Sequence, residues 1–395
     1  MKRVYFLTGE FPPMRGGMGD YTRELARALA REGWEVHVIT HVKARPPSGT
    51  DAARAVTVHP VVRRWTWRGV AWVIHLLRRL PPAILHIQYQ TAAYGMHPAV
   101  NVLPWLLRRL APGWRLALTY HDLRVPYLFP KAGPLRRWIT LFPARHVDWV
   151  VTTNVEDEMA LKRAGIPSTR IPIGANVHPH PVSPEEVHAA RERWGIPEGA
   201  WVVGYFGFLN RSKGVTDLLD AVARLVDTGQ NVHLLMMGEP LGASDPTNRA
   251  YMEEVTARVA ILGLEDRVHW TGFLTDRELS AGFALTHVVA LPYRDGVSLR
   301  RGTLHAALVH GATIVTTRPR LPIPELESAV ELVPPGDVAA LAEALERLLQ
   351  DEERRARLAH RARELSRTFT WDAIARRHIE MYNLPTPYPN LDRLP

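Results

Sequence analysis

The chain of 395 residues contains no cysteine, which excludes disulfides, thiolate nucleophiles and cysteine-ligated metal, and agrees with a cytoplasmic address. Long apolar runs are absent too. The longest candidate, Gly69 to Leu77, carries His75 and stops at Arg78 and Arg79, far short of the roughly 20 residues that a membrane-spanning helix needs. At the start of the chain the apolar run is only Val4 to Leu7, before Thr8, Glu10 and two prolines, which is too short for a signal peptide, so secretion is not expected. Lysine is scarce, at five of 49 basic residues, and the 18 histidines are scattered. The one close pair, His178 and His180, lies in a proline-rich stretch, where a metal site is not expected.

An apolar content of 46% is ample for well-packed cores, and the length suggests two or three domains. Charge is uneven: residues 1–175 hold 25 Lys and Arg against 11 Asp and Glu, the remainder 24 against 29. Such asymmetry points to a nucleic acid, an anionic membrane or an acidic substrate as partner for the first half. Arginine-rich composition is the bland alternative for the amount of arginine, though not for its placement. Neither a helix-turn-helix nor an RNA-binding motif is visible, so nucleic acid is not expected as a partner.

The most informative stretch runs from Glu10 to Thr40. Val4 to Leu7 reads as a buried parallel strand, Pro12, Pro13, Gly16, Gly17 and Gly19 break it, and Tyr21, Leu25, Ala28 and Leu29 then keep helical spacing up to Gly33. Glycines at the start of a helix expose unpaired N–H groups where the positive helix end attracts an anion, which suits a phosphate-bearing ligand. Their spacing is not the dinucleotide fingerprint, because they are too close together and no acid follows at the required distance.

Further buried strands are expected at Glu35 to Thr40, Ile84 to Gln88, Leu116 to Tyr120 and Trp149 to Thr153. After a lapse holding Pro179, Pro181, Pro184 and Pro197 the pattern restarts at Trp201 to Phe206, Val232 to Met237, Val288 to Leu291 and Thr313 to Thr316, with helices at Thr216 to Leu225, Asn248 to Leu262 and Val338 to Leu349. The reading is an α/β protein with two doubly wound domains. Residues 1–178 form the first, 179–198 a linker, 199–370 the second, and 371–395 a closing helix and tail. Two such domains facing across a cleft would hold the ligand beyond the carboxyl ends of their strands.

The order of features resembles family 4 glycosyltransferases, retaining enzymes of the GT-B fold that transfer a sugar from a nucleotide sugar. The likeness rests on PPMRGGMGDYTRELARALAREGWEVHVIT, the His121 strand end, GFLNRSKGVTDLLDAV, MMGE, VHWTGFLTDREL, VPPGDVAALAEAL and FTWDAIARRHIEMY. The last of these matches the family's closing helix, which crosses back to the first domain. The resemblance implies that Gly16, Gly17 and Gly19 approach the donor, that His121 lies beside the transferred sugar in a positioning role, and that Lys213 contacts the donor pyrophosphate, with Glu239 at the nucleotide-sugar site. Tyr21 and Gln88 would stand on the acceptor side. A fixed lysine that offsets charge on the leaving diphosphate removes the need for a metal, and no cofactor is expected beyond the nucleotide-sugar co-substrate.

The chain also departs from the family. Gly207 is followed by Phe208 where an arginine is usual, and Arg211 is shifted within the loop. The paired glutamates of the second domain are missing: Asp295 can replace the first, but Ala306 or its neighbours fall where the second belongs. In their place Gly296, Val297, Ser298, Arg300 and Arg301 gather before a helix and can present donors to phosphate. A polar helix cap is the alternative reading of these residues.

In the first half, Arg63, Arg64, Arg68, Arg78 and Arg79 interleave with Trp65, Trp67 and Trp72. Basic residues with indoles suit an anionic membrane surface, on the inner face of the cell membrane, where a glycan or lipid-linked acceptor of envelope or exopolysaccharide synthesis would be presented. An ordinary surface helix is the alternative. A protein that keeps the fold and binds nucleotide sugar or glycan without turnover is the competing function.

Overall fold

The structure, a computed structural model, describes residues 2–14, 16–44, 56–123, 133–239 and 246–385. Residues 386–395 of the expected tail lie outside this set. The chain divides into two compact units, Met1–Asn176 with Trp371–Pro395, and Val177–Thr370.

The first unit carries β1 (Arg3–Thr8), α1 (Gly17–Arg31), β2 (Glu35–His41), β3 (Val56–Val62), α2 (Trp67–Leu77), β4 (Ile84–Tyr89), α3 (Ala99–Leu110), β5 (Arg115–Tyr120), α4 (Gly133–Leu141), β6 (Trp149–Thr152), α5 (Val155–Arg163) and β7 (Thr169–Arg170). Its parallel sheet has the order β3-β2-β1-β4-β5-β6-β7. Every residue of β4 is buried, as a strand covered on both faces requires. Leu25, Ala28 and Leu29 of α1 pack on one face of the sheet with Val4, Phe6 and Val38. Val70, Val73 and Leu77 of α2 join the core of the other face.

The second unit holds α6 (Pro184–Arg193), β8 (Trp201–Phe206), α7 (Val215–Asp227), β9 (Val232–Met237), α8 (Pro246–Ile261), β10 (Val268–Trp270), α9 (Asp276–Leu285), β11 (Val288–Leu291), α10 (Gly302–Val309), β12 (Ile314–Thr317), α11 (Pro324–Glu327), β13 (Glu331–Val333), α12 (Val338–Gln350) and α13 (Glu352–Ser366). Its sheet, also parallel, runs β10-β9-β8-β11-β12-β13. The stretch 179–198, expected as a linker, packs on this unit instead. Ser183 and Glu186 close a capping box that starts α6. Ion pairs from Arg277 to Glu186 at 2.7 Å and from Arg193 to Glu278 at 2.6 Å then tie α6 to α9.

The last helix among the described residues, α14 (Trp371–Asn383), belongs to the first unit, the return expected of the closing helix. Trp371 Nε1 donates to the Ala175 carbonyl at 2.7 Å, Arg31 pairs with Asp372 at 2.6 Å, and the Tyr382 hydroxyl meets His86 Nδ1 at 2.6 Å.

The four strands missing from the sequence reading, β3, β7, β10 and β13, are the outer strands of the two sheets. An edge strand is paired on one side only and half exposed, so it needs no continuous apolar run. β3 even accommodates Pro60, which an edge tolerates.

Candidate functional site

In the second unit the sheet order reverses between β8 and β11, and the crevice beyond the carboxyl ends of such strands is where doubly wound sheets bind ligands. Gly207, directly after β8, has φ 121°. A Cβ there would fall 2.5 Å from Thr303 Cγ2 and 2.9 Å from Lys213 Nζ, so glycine lets the lysine fold back over the strand end. Lys213 is itself held by a single 3-10 turn, Arg211–Lys213, whose start is capped by Asn210 accepting from the Ser212 N–H at 2.9 Å. Gly214 follows at φ 67°, with the Pro292 carbonyl 2.1 Å from where its Cβ would be.

Among the described residues Lys213 has no acidic partner. Burial, and then the nearby Arg301 guanidinium, lower its pKa to about 8. Arg301 forms an ion pair with Asp295 and lies over the Tyr293 ring, 4.6 Å from its centroid. The Tyr293 hydroxyl is in turn 2.6 Å from Thr303 Oγ1. The structure thus brings Lys213, Asp295, Arg301 and Thr303 together as a group with two cations and one carboxylate. Gly296 has φ 82°, and the Arg318 carbonyl lies 2.6 Å from where a Cβ would be. Val297 is buried, and Ser298 and Arg300 are half-buried.

Two expectations change. Arg211 is turned toward α8, where it pairs with Glu254 and lies 5.5 Å from the Tyr251 ring centroid. It is already committed to an acid, because its shifted place in the loop brings it beside that helix. Arg301, expected to present donors to phosphate, is partly neutralised by Asp295. Glu239 is exposed just beyond β9. In place of the second acid stand the buried His305 and Ala306. His305 Nε2 donates to the Leu299 carbonyl at 2.9 Å, and its ring packs edge-on to Phe369 with centroids 4.7 Å apart.

The first unit reverses its sheet order between β1 and β4. His121 follows β5, and its N–H donates to the Tyr89 carbonyl at 3.0 Å. Its Nε2–H donates to Gln88 Oε1 at 2.9 Å, leaving Nδ1 as the acceptor of the neutral ring. Burial, followed by the field of His378, pushes its pKa down to about 3, so the ring is uncharged at neutral pH. The Tyr21 ring stands edge-on to it at 4.7 Å and edge-on to Trp371 at 5.2 Å. Two buried polar atoms here, Tyr21 Oη and Gln88 Nε2, have no hydrogen-bond partner among the described residues.

Within the glycine loop the three positions differ. A Cβ on Gly16 would lie 1.9 Å from Glu10 Oε1, one on Gly19 would press on the Glu10 and Phe11 backbone, and Gly17 faces open space. Glu10, which the sequence reading passed over, also accepts from the Gly19 N–H at 3.4 Å. Its place one residue beyond the strand and Gly9 was the available signal. Trp65, expected at a membrane surface, is a core residue: it is buried and donates to the Gly9 carbonyl at 3.2 Å. Trp67 and Trp72 are 54% and 61% exposed.

The sequence matches the family described as Glycosyl transferases group 1 over residues 186–365 and the Glycosyl transferase 4-like domain over residues 16–176. A D-inositol 3-phosphate glycosyltransferase of Corynebacterium glutamicum is 27% identical over 410 residues, covering 95% of this chain and 94% of that one. Among solved structures, the sucrose-phosphate synthase of Thermosynechococcus elongatus superposes with a TM-score of 0.67 at 22% identity, covering 97% and 98% of the two chains. Anabaena HepE, solved with UDP and glucose, superposes with a TM-score of 0.71 at 18% identity, covering 97% and 99%. With two Rossmann-like units and both domain families matched, the chain belongs to the family 4 glycosyltransferases of the GT-B fold.

Proposed function

We propose that the protein is an active, retaining hexosyltransferase that moves a sugar from a nucleoside-diphosphate sugar to a hydroxyl of a glycan or lipid-linked acceptor. The observation that carries the reading is Lys213, an ammonium without an acidic partner among the described residues, held against Gly207 beside Arg301 at the carboxyl ends of β8 and β11. A half-buried cation at that place suits a diphosphate, and it stabilises the charge that grows on the leaving group. Lys213 and Arg301 together supply positive charge without a metal. Asp295, tied to Arg301, orients the donor sugar, and neutral His121 in the first unit offers Nδ1 as an acceptor for a substrate hydroxyl. The acceptor oxygen attacks the anomeric carbon as its bond to the phosphate oxygen breaks, and that phosphate oxygen takes the acceptor's proton.

A second reading, a nucleotide-sugar binding protein without turnover, is favoured by one observation. The position of the second acid holds the buried, apolar-packed His305 and Ala306. Thermal-shift measurements with UDP, GDP, ADP and their sugars separate the readings when followed by transfer and hydrolysis assays on the stabilising donor. Selective stabilisation with product formation supports the transferase; stabilisation with neither product supports the binding protein; no stabilisation by any nucleotide overturns both.

Peripheral association with an anionic membrane on the cytoplasmic side is part of the proposal. It is supported by the exposed Trp67 and Trp72 of α2 beside the exposed Arg63, Arg64, Arg68, Arg78 and Arg79. Among the described residues no helix is long and apolar enough to cross a membrane. Flotation with liposomes containing anionic lipid tests it, and absence of binding at low salt rejects it.

A further inference from the structure

The second unit has a pocket of about 510 Å³ that Lys213, Asp295 and Arg301 do not line. It opens at the other end of the sheet: Thr286 and His287 line it just before β11, and Ala312 and Thr313 just before β12. A four-residue strand separates this end from the Lys213 end, about 13 Å at the usual rise. The volume falls within the roughly 300–1,000 Å³ range of small-molecule sites.

We infer that this pocket is a non-catalytic binding site for a small oxyanion, a phosphate- or carboxylate-bearing metabolite no larger than a sugar phosphate. Two guanidinium groups line it, from Arg355 and Arg363, against a single carboxylate, Glu352, so its formal charge is positive. The two arginines are positioned by different contacts. Arg355 donates from Nη1 to the Leu348 and Leu349 carbonyls at 2.7 and 2.6 Å, which anchors the group at the end of α12 and leaves Nη2 and Nε for a ligand. Arg363 lies across Gly311: a Cβ at that glycine would fall 2.2 Å from Nε. Gly311 also has φ 64°, so its lack of a side chain serves both the turn after α10 and the seat of the arginine. Among the described residues Arg363 has no carboxylate partner.

His287 adds an oriented donor. Its Nδ1 lies 2.9 Å from the Val202 backbone N–H, which can only donate, so the neutral ring carries its proton on Nε2. That N–H has no acceptor among the described residues. His180 lines the same pocket, with its backbone N–H donating to Ser280 Oγ at 3.0 Å. Guanidinium donors with an imidazole N–H match the acceptor-only oxygens of phosphate and carboxylate, and charge-assisted bonds of this kind are the strong ones. The wall formed by Pro179, His180 and Val182 lies close after Val177, where the second unit begins, and α13 leads to Thr370, where it ends. A bound anion would therefore lie against both the beginning of this unit and its last long helix.

The test is thermal stabilisation of the full chain by inorganic phosphate and by citrate at millimolar concentration, with a nucleotide titration run in parallel. Arg363→Gln removes an exposed guanidinium, and Ala356→Glu places a carboxylate on the pocket wall from an exposed position of α13. The wild type is expected to be stabilised by at least one of the two anions. Each variant should weaken that anion's apparent affinity about tenfold or more, the usual scale for a lost charge-assisted bond, and leave nucleotide-induced stabilisation unchanged. Lys213→Ala should do the reverse, losing the nucleotide response and keeping the anion response. No stabilisation of the wild type by either anion overturns the inference. So does an anion response that survives in both pocket variants, or one that Lys213→Ala abolishes.

Discussion

The carboxylate of Glu10 occupies the space a side chain on Gly16 would need, with Oε1 only 1.9 Å from the position of a Cβ. The amino end of α1 therefore already has an anion beside it, supplied by the chain itself. This gives the glycine at position 16 a structural reason independent of any ligand. Gly17, which faces open space, is the loop position left for close approach by one.

Gly16→Ala is expected to displace that carboxylate, the far end of a flexible side chain, at a cost of about 1 kcal/mol or less. In Glu10→Ala the same glycine substitution should cost much less, because the clash is gone. A double-mutant cycle on denaturation midpoints measures the coupling, and additive effects would contradict the contact.

Lys213, with its pKa lowered to about 8, loses its charge as the pH rises through that value. Nucleoside-diphosphate affinity should then fall toward tenfold per pH unit above about 8, and Lys213→Met should bind weakly at all pH values without this limb. Isothermal titration between pH 7 and pH 9.5 checks it.

Asp295 and Arg301 hold each other, so their variants should act in opposite directions on diphosphate binding. Arg301→Ala is expected to raise the donor Michaelis constant at least several-fold, about the worth of one charge-assisted contact. Asp295→Asn releases Arg301, and should tighten nucleoside-diphosphate binding while slowing transfer. Steady-state kinetics with product inhibition by the free nucleotide distinguishes the two.

Trp371 bridges the Ala175 carbonyl and the Tyr21 ring, which in turn packs on His121. Trp371→Ala should cost about 3–5 kcal/mol, as for other buried aromatic truncations. It should also lower kcat more than it raises the donor Michaelis constant, because the tryptophan supports the histidine through Tyr21 and binds no phosphate.

His86 of β4 and His378 of α14 are both buried, their rings 5.5 Å apart. Burial lowers both pKa values, that of His378 to about 4. The folded pKa values lie below the ordinary 6.5, so the unfolded chain takes up protons first. Stability is full above pH 6.5 and is lost as the pH falls toward 4, by about 1.4 kcal/mol per pH unit for each histidine. His378→Leu should flatten this slope in urea melts recorded from pH 7 to pH 4.5.

The alternation of short apolar runs with amphipathic helices determined the α/β class, the two parallel sheets and nine of their thirteen strands, because interior strands covered on both faces are predominantly apolar. The local chain also placed Gly17, His121 and Lys213 at the carboxyl ends of strands, since the strand ends are set by the same pattern. Other features depended on contacts between distant segments, which periodicity does not carry. The tertiary structure decided that Arg211 faces Glu254, that Asp295 neutralises Arg301, that Trp65 is core while Trp67 and Trp72 are not, and that Glu10 fills the glycine loop. A side chain's charge is visible in the sequence, but whether that charge is free or already paired is decided only when the fold chooses its neighbours.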